Sequence, residues 1–203
     1  MFNLGRHLDF CGSLSTKSKA CLGVLEKYEV TDPENDAISQ ILKNQFVAIR
    51  SEYLELTDRI AGILKELTLV AKNEPLCQLL LSIPGIGVIN ATAIYSAVGN
   101  GSQFKSAREF AVWLGFTPRQ RSSGDKFSSS GITKCGDRYL RKQLVHGARA
   151  LFYRCRNKTD KLSLWVNQLA ARRGANKACV ALAARLARIC WILLRKKEAY
   201  RVM

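Results

Sequence analysis

The chain has 203 residues, of which 47% are hydrophobic, enough for at least one packed core. Its formal net charge of +16 is unevenly placed: residues 1–100 hold 9 Lys/Arg and 11 Asp/Glu, whereas residues 101–203 hold 23 and 5. A charge of −2 in one half and +18 in the other indicates a polyanionic partner, most simply nucleic acid. A solvated basic surface or an anionic membrane surface is the alternative.

Cysteine and histidine usage argues against a metal centre. The seven cysteines are odd in number, widely spaced and without a C-x-x-C pair, and the only histidines are His7 and His146. We therefore expect neither a zinc site nor a disulfide framework, and a reducing cytoplasm fits best. We expect no signal peptide, and Arg185 and Arg188 within the apolar segment 178–194 argue against a membrane span.

Residues 1–36 form a poorly defined N-terminal segment to which no function is assigned. Residues 37–74 are predicted to form one long helix, because apolar and aromatic residues repeat as two sets seven positions apart. The first set is Leu42, Ile49, Leu56, Ile63 and Val70, and the second is Phe46, Tyr53, Ile60 and Leu67. This pattern favours a coiled coil that joins copies of the chain through residues 42–70. One arm of an intramolecular helical hairpin is the alternative.

Residues 75–203 are predicted to form a helical domain, and its first motif is Ile83-Pro84-Gly85-Ile86-Gly87 between two apolar stretches. This is typical of a helix-hairpin-helix, in which the glycines permit a tight turn and close approach of the backbone. The N–H groups that open the second helix can then hold a phosphate. A plain helical turn with a glycine cap is the alternative.

Four further stretches carry helix signals. Ser106 and Glu109 form a capping box for a helix over 106–114, and Asp137 caps a helix that continues to Arg156. Two more helices are expected over 161–173 and 177–194, the last one capped by Asn176. Because no alternating strand pattern is evident in residues 37–203, the predicted fold class is all-α.

The helix over 137–156 has one apolar and one cationic face. At 3.6 residues per turn, Leu140, Leu144 and Leu151 share a face. The opposite face carries Arg138, Lys142, Arg149 and Arg156, with Arg141 on its flank. Such a row is suited to phosphates, and each contact adds about 0.9 to the salt slope of binding.

The stretch before this helix is rich in hydroxyls and cations. Ser122 and Ser123 precede Gly124, and the nearby cations that we predict to contact DNA are Arg119, Arg121, Lys126 and Lys134. A serine hydroxyl can attack phosphorus while cations stabilise the developing charge. The stretch has no evident base, so serines of a flexible loop are the alternative reading.

Three blocks together resemble a known family. They are IPGIG, REFAVWLGFTPRQRSSG and GITKCGDRYLRKQLVHGARA, and in this order they are similar to the C-terminal domain of the Piv/MooV-type DEDD insertion-sequence transposases. The resemblance implies DNA transposition or site-specific recombination, with a nucleophilic serine at Ser123 and Ser122 as the fallback. It also implies DNA as partner and, in studied members, a guide noncoding RNA.

Members of this family also carry a RuvC-like nuclease domain with an Asp/Glu/Asp/Asp metal site, which is not found in this sequence. We therefore expect no cofactor in this chain, and Mg²⁺ only together with that acidic domain. One hypothesis is a transposase, or its C-terminal part, that needs a full-length partner for activity. The other is a non-catalytic, dimeric DNA- or RNA-binding remnant, or an inhibitor of a full-length transposase.

Overall fold

The computed structural model describes residues 40–123 and 126–201, without the side chains of 40–43 and 121–130. The N-terminal segment 1–36 and Gly124 therefore lie outside the described residues. The chain divides into two compact units after Glu66.

The described part of the first unit is a single helix, α1 (Gln40–Asn73), whose last turns belong to the second unit. This confirms the predicted long helix. Apolar side chains that repeat every seven residues remain exposed: Ile49 is 53% accessible, Leu56 49% and Ile63 49%. Such exposure is unusual for a repeating apolar stripe, although the coiled coil itself stays a prediction.

After the last turns of α1, the second unit continues with two short helices joined by a tight turn, α2 (Pro75–Leu81) and α3 (Val88–Val98). Gly85 in the turn has a φ of +87°, a conformation that side chains disfavour. A Cβ added there would lie 2.9 Å from the carbonyl oxygen of Gly147. The predicted pair of helices is therefore present, with its turn packed against a later helix. Its identity as a DNA-binding helix-hairpin-helix stays a prediction.

Helix α4 (Ala107–Trp113) starts at the predicted cap. The Ser106 side chain accepts a hydrogen bond from the N–H of Glu109, while the Glu109 carboxylate accepts one from the N–H of Lys105. The return bond thus reaches one residue before the cap, a variation on the expected capping box. Phe104 and Phe110 pack at 5.1 Å between ring centroids and hold this helix against the core.

Two strands follow where no strand was expected. Strand β1 (Pro118–Ser123) pairs antiparallel with β2 (Lys126–Ile132), and the pairing skips Gly131 as a bulge. The expectation of no strand in residues 37–203 was therefore wrong. The strands consist mainly of Ser, Arg and Gln, so they lack the apolar alternation that would have revealed them. We call this pair the serine hairpin.

Three helices complete the unit, namely α5 (Arg138–Cys155), α6 (Lys161–Arg173) and α7 (Ala175–Lys196). Asp137 and Asp160 cap α5 and α6 by accepting hydrogen bonds from the N–H groups of Leu140 and Ser163. The last helix begins after Gly174, at a φ of +86°, rather than at the expected cap Asn176. A glycine there lets the chain reverse between α6 and α7.

The three helices α5, α6 and α7 pack on one another, and α3 and α4 cover them. The face of α5 that was predicted to be apolar is buried, including Leu140, Leu144 and Leu151. Seven helices and one small sheet confirm the all-α class for the described residues. None of the described helices combines the length and the apolar character that crossing a membrane requires.

Candidate nucleic-acid interface

The serine hairpin is fixed at its base between α4 and α5. The N–H of Thr133 donates to the carbonyl of Thr117 at 2.8 Å, and the N–H of Lys134 donates to the carbonyl of Gly115 at 3.1 Å. A Cβ on Gly115 would lie 2.6 Å from the carbonyl oxygen of Cys135. The two chain segments that enter and leave the hairpin therefore touch through their backbones.

A second glycine tightens this junction. Gly136 has a φ of +134°, and a Cβ there would lie 1.9 Å from the carbonyl oxygen of Trp113. Any other residue would force the start of α5 away from the end of α4. The hairpin is thus anchored to two helices of the core, which is the usual way that a protruding element acquires a defined direction.

The register of the hairpin separates the two candidate serines. Ser123 pairs with Lys126, whereas Ser122 pairs with Phe127. Successive residues of a strand alternate between its faces, and paired residues share a face. Ser123 therefore occupies the same face as Arg119, Arg121 and Lys126, and Ser122 occupies the other. Four of the predicted site residues are brought together in this way.

Two arginines of the predicted site bond to backbone carbonyls. One guanidinium nitrogen of Arg119, Nη2, donates to the carbonyl of Thr133 at 3.1 Å. Nη1 of Arg141 donates to the carbonyl of Leu114 at 3.0 Å, beside the carbonyls of Gly136 and Asp137 at 3.5 Å. Arg141 therefore ties the first turn of α5 to the end of α4, and only its remaining N–H groups are available to a ligand.

The predicted row on α5 is graded in exposure. Arg138 and Lys142 are exposed, as is Lys134 just before the helix, whereas Arg149 is half-buried. Arg149 lies close enough to Cys179 for its charge to oppose the effect of burial, which raises the pKa of that thiol. We use the name α5 cation row for Arg138, Lys142 and Arg149. Its N-terminal end is the more accessible one.

Arg156, at the end of that face, is used differently. Its guanidinium carbon lies 5.0 Å from the centre of the Tyr153 ring and 6.0 Å from that of Phe152. A cation held over aromatic faces is partly satisfied within the protein. Arg156 is itself exposed, but its guanidinium is partly engaged by these rings, so we leave it out of the row.

The turn between α2 and α3 offers a separate set of donors. Gly87 is exposed, and a Cβ there would meet no atom within 4 Å. It precedes α3 without any side chain that caps the first turn of that helix. Ile86 is 6% accessible and Gly85 packs on Gly147, so both shape the turn from inside. Among the three predicted residues, Gly87 presents the open backbone.

No acidic cluster accompanies these cations in the described ranges. There, no group of three or more His, Cys, Asp or Glu side chains is close enough to hold a metal ion. Asp137, the carboxylate nearest the hairpin in sequence among described side chains, is used as the α5 cap. The described side chains therefore offer no set that fits a magnesium site, and we derive no step through one.

Sequence comparison identifies the region that contains this surface. Residues 77–163 match the transposase family described as IS116/IS110/IS902. These residues are a transposase domain of the IS116/IS110/IS902 family. The domain includes all the predicted contact residues, from Gly85 in the α2–α3 turn to Arg149 in α5, together with both candidate serines.

Relatives of the transposase domain extend the match over most of the chain. A transposase for insertion sequence element IS1111A from Coxiella burnetii is 44% identical over 160 residues, which are 79% of this chain and 44% of that protein. A probable family 20 transposase from Pseudomonas aeruginosa is 39% identical over 184 residues, 90% of this chain and 53% of that protein. A transposase for element IS1328 from Yersinia enterocolitica is 36% identical over 163 residues, 80% and 49% respectively. The chain therefore spans about half the length of these relatives.

Sequence reasoning missed the strands and the glycine contacts. The pair Gly124-Asp125 between two polar runs is one of the signals for a two-residue hairpin connection, and it was available. The roles of Gly136 and Gly147 had no local signal, because each depends on a segment more than twenty residues away. The geometry of the hairpin in the transposase domain therefore depends on contacts between segments that are far apart in the sequence.

Proposed function

We propose that this chain acts in the transposition of an insertion sequence, as the domain that binds DNA and joins it covalently. The observation that carries the proposal is the family match over residues 77–163, because it covers every predicted contact residue. The names of the relatives as insertion-sequence transposases support the same role. Since the chain spans about half of those proteins, the complete reaction is assigned to it together with a further domain.

In this proposal the DNA backbone lies along the serine hairpin and the accessible end of the α5 cation row. Arg138, Lys142 and Lys134 are exposed, and the base of the hairpin places Lys134 next to them in the chain. Gly87 adds backbone N–H groups at the start of α3, where a helix favours an anion. All of these groups contact phosphate, so binding is expected to depend weakly on base sequence.

Ser123 is the proposed nucleophile. Its Oγ attacks a backbone phosphorus, an Oγ–P bond forms, and the P–O bond to one neighbouring sugar breaks. A basic group takes up the hydroxyl proton and the departing sugar oxygen gains a proton, so the step balances without an oxidant or a reductant. The register supports Ser123 over Ser122, because Ser123 pairs with Lys126 and stands two positions from Arg121, and these cations can stabilise the phosphorane.

Several partners belong to the proposal. The group that takes up the serine proton, and any Mg²⁺, are assigned to a RuvC-like acidic domain supplied by a full-length transposase. A guide noncoding RNA is a further proposed partner. A cytoplasmic location remains a prediction from the cysteine content.

A covalent trap tests the nucleophile. The 203-residue chain is incubated with DNA ends of its element, Mg²⁺ and a full-length relative whose corresponding serine is replaced by alanine. A slower band that contains both this chain and labelled DNA is expected with the parental chain and with Ser122→Ala, but not with Ser123→Ala. The Ser122→Ala variant is the matched control, since it removes a neighbouring hydroxyl from the opposite face of the strand.

An adduct that forms with Ser123→Ala but not with Ser122→Ala would identify Ser122 as the nucleophile. A complete lack of adduct, combined with salt-sensitive DNA binding, would favour the second candidate function, a non-catalytic binding protein or inhibitor of a full-length transposase. The specific observation behind this second candidate is that the described residues hold no metal-binding group.

A further inference from the structure

A cleft outside the α5 cation row and the serine hairpin lies between α6, α7 and the segment that follows α7. Its volume is about 420 Å³. The floor is apolar and includes Leu162, Ile189 and Leu193, while Tyr200 forms part of the wall. We call it the C-terminal cleft. A cleft with an apolar floor and polar groups around it is the usual form of a small-ligand site.

The wall of the cleft is fastened to α2 by a hydrogen bond. After α7 the chain reverses at Lys197, whose φ is +55°. The N–H of Tyr200 then donates to Oγ of Ser82 at 2.9 Å, which fastens this segment to the end of α2. Tyr200 is half-buried and packs against the hydrophobic core. The tyrosine is therefore positioned before any ligand arrives.

Four cations and one acid surround the floor. The cations are Lys161, Arg185, Lys196 and Arg201, and the acid is Glu198. Within residues 44–120 and 131–201 no salt bridge neutralises any of these four cations. A ligand that brings negative charge is therefore complementary to this rim.

One of the cations also offers a flat surface. The guanidinium carbon of Arg185 lies 4.8 Å from the centre of the Trp165 ring. An arginine held against an aromatic ring on one side can stack a second planar group on the other. Arg185 and Tyr200 both line the cleft, so two surfaces suited to a flat ring converge there.

We propose that the C-terminal cleft binds one unstacked nucleotide of a single-stranded nucleic acid. The base lies on the apolar floor between Tyr200 and Arg185, and its phosphates contact Lys196 and the other rim cations. A base in a duplex is already stacked and paired, so it would enter only at the cost of unstacking and unpairing. An acidic peptide would satisfy the cations as well, but it would leave the two stacking surfaces without a flat partner. This site goes beyond the proposed duplex contact and uses different residues.

The test measures anisotropy of fluorescein-labelled 12-nucleotide strands, oligo-dT and oligo-U, and of a 12-base-pair duplex. Tyr200→Ala is expected to weaken single-strand binding by roughly fivefold to a hundredfold, the range for loss of one stacked base, whereas Tyr200→Phe retains it. Duplex affinity is expected to stay unchanged in both variants. A loss confined to either oligonucleotide identifies the preferred sugar and equally supports the proposal.

A charge pair provides the matched control and does not depend on Tyr200. Lys196 lines the cleft, whereas Arg195 is its exposed neighbour in the same last turn of α7 and does not. Lys196→Gln is expected to lower the single-strand salt slope by about 0.7, and Arg195→Gln to leave it unchanged. If the thermal melt shows that Tyr200→Ala does not fold, the comparison of Lys196→Gln with Arg195→Gln tests the proposal on its own.

Three results would overturn the proposal. The first is an equal single-strand affinity of Tyr200→Ala and the parental chain. The second is an equal single-strand salt slope of Lys196→Gln and Arg195→Gln. The third is a parallel fall of single-strand and duplex affinity in the same variant. An acidic peptide would be the favoured ligand if these variants no longer bind a labelled Asp/Leu peptide but still bind the oligonucleotides with parental affinity. If variants of the α5 cation row do not change duplex binding, the proposed duplex contact is wrong. The single-strand results for the C-terminal cleft would still stand, so the two proposals can be rejected independently.

Discussion

At the scale of single residues, some cations of this surface already donate hydrogen bonds within the protein. Only the others are fully available to a phosphate. Arg141 belongs to the predicted contacts, yet its Nη1 bonds to the Leu114 carbonyl and joins two helices. Arg138, three residues earlier, has its charge exposed. Sequence spacing placed both on α5 correctly, but it did not separate a cation that holds the fold from one that is free for phosphate. That distinction depends on backbone carbonyls from α4.

The thiols provide a probe at this scale. Cys135, beside Lys134 at the hairpin base, is exposed, whereas Cys190 is fully buried and burial raises the pKa of its thiol to about 12. Because only thiolates react, iodoacetamide at pH 8 should modify Cys135 quickly in the native chain and leave Cys190 unmodified. Saturating duplex DNA should slow modification of Cys135 several-fold, as followed by peptide mass spectrometry. An unchanged Cys135 rate under saturating DNA would place the DNA elsewhere.

At the scale of elements, the helices were predictable and the hairpin was not. Caps such as Ser106 and Asp137 and the 3.6-residue period lie within a few positions of one another, so the ends of α4, α5 and α6 follow from local sequence. The sequence of the serine hairpin has no apolar alternation, and the hairpin depends on strand pairing and on the contacts of Gly115 and Gly136. The preference for Ser123 over Ser122 comes from the family resemblance and stays a prediction.

The crossing of α5 over the α2–α3 turn makes a prediction about stability. A Cβ on Gly147 would lie 2.1 Å from the carbonyl oxygen of Gly85, too close to be relieved by a rotamer change. Alanine normally stabilises a helix interior by about 1 kcal/mol relative to glycine. Overpacking typically costs about 1–3 kcal/mol or more, so Gly147→Ala should lower the free energy of unfolding despite the better helix propensity.

The measurement is urea unfolding followed by circular dichroism. Gly87→Ala is the matched control, because it lies in the same turn, its φ is −100° and an added Cβ meets no atom within 4 Å. We expect it to change the free energy of unfolding by less than about 1 kcal/mol. Equal stability of the two variants would show that the close contact between Gly147 and Gly85 does not exist in solution.

At the scale of the whole molecule, two features could be read from the sequence. They are the uneven charge and the apolar heptad repeat of α1. The net charge of +18 in residues 101–203 lies in the same half as the serine hairpin and α5. The apolar stripe on α1 belongs to the first unit, which the family match over residues 77–163 does not include. We propose that this stripe joins copies of the chain, as the heptad pattern predicts.

Self-association tests that proposal. The chain of 22.6 kDa should sediment as an oligomer whose mass depends on concentration. Leu56→Lys, in the exposed stripe, should shift it toward the monomer because a charge in an apolar seam is costly. Ala48→Lys introduces the same cation at an exposed position outside the stripe and should leave the mass unchanged. A parental chain that is monomeric at every concentration would favour the intramolecular helical hairpin.

The most direct test of the nucleic-acid interface is the salt dependence of duplex binding. The double variant Arg138→Gln/Lys142→Gln removes two exposed cations of the α5 cation row, and its control Arg154→Gln removes an exposed cation about 120° or more around the same helix. We predict that the double variant lowers the slope of log K against log salt by about 1.8, while Arg154→Gln leaves it unchanged. Equal slopes in the parental chain and the double variant would contradict the account.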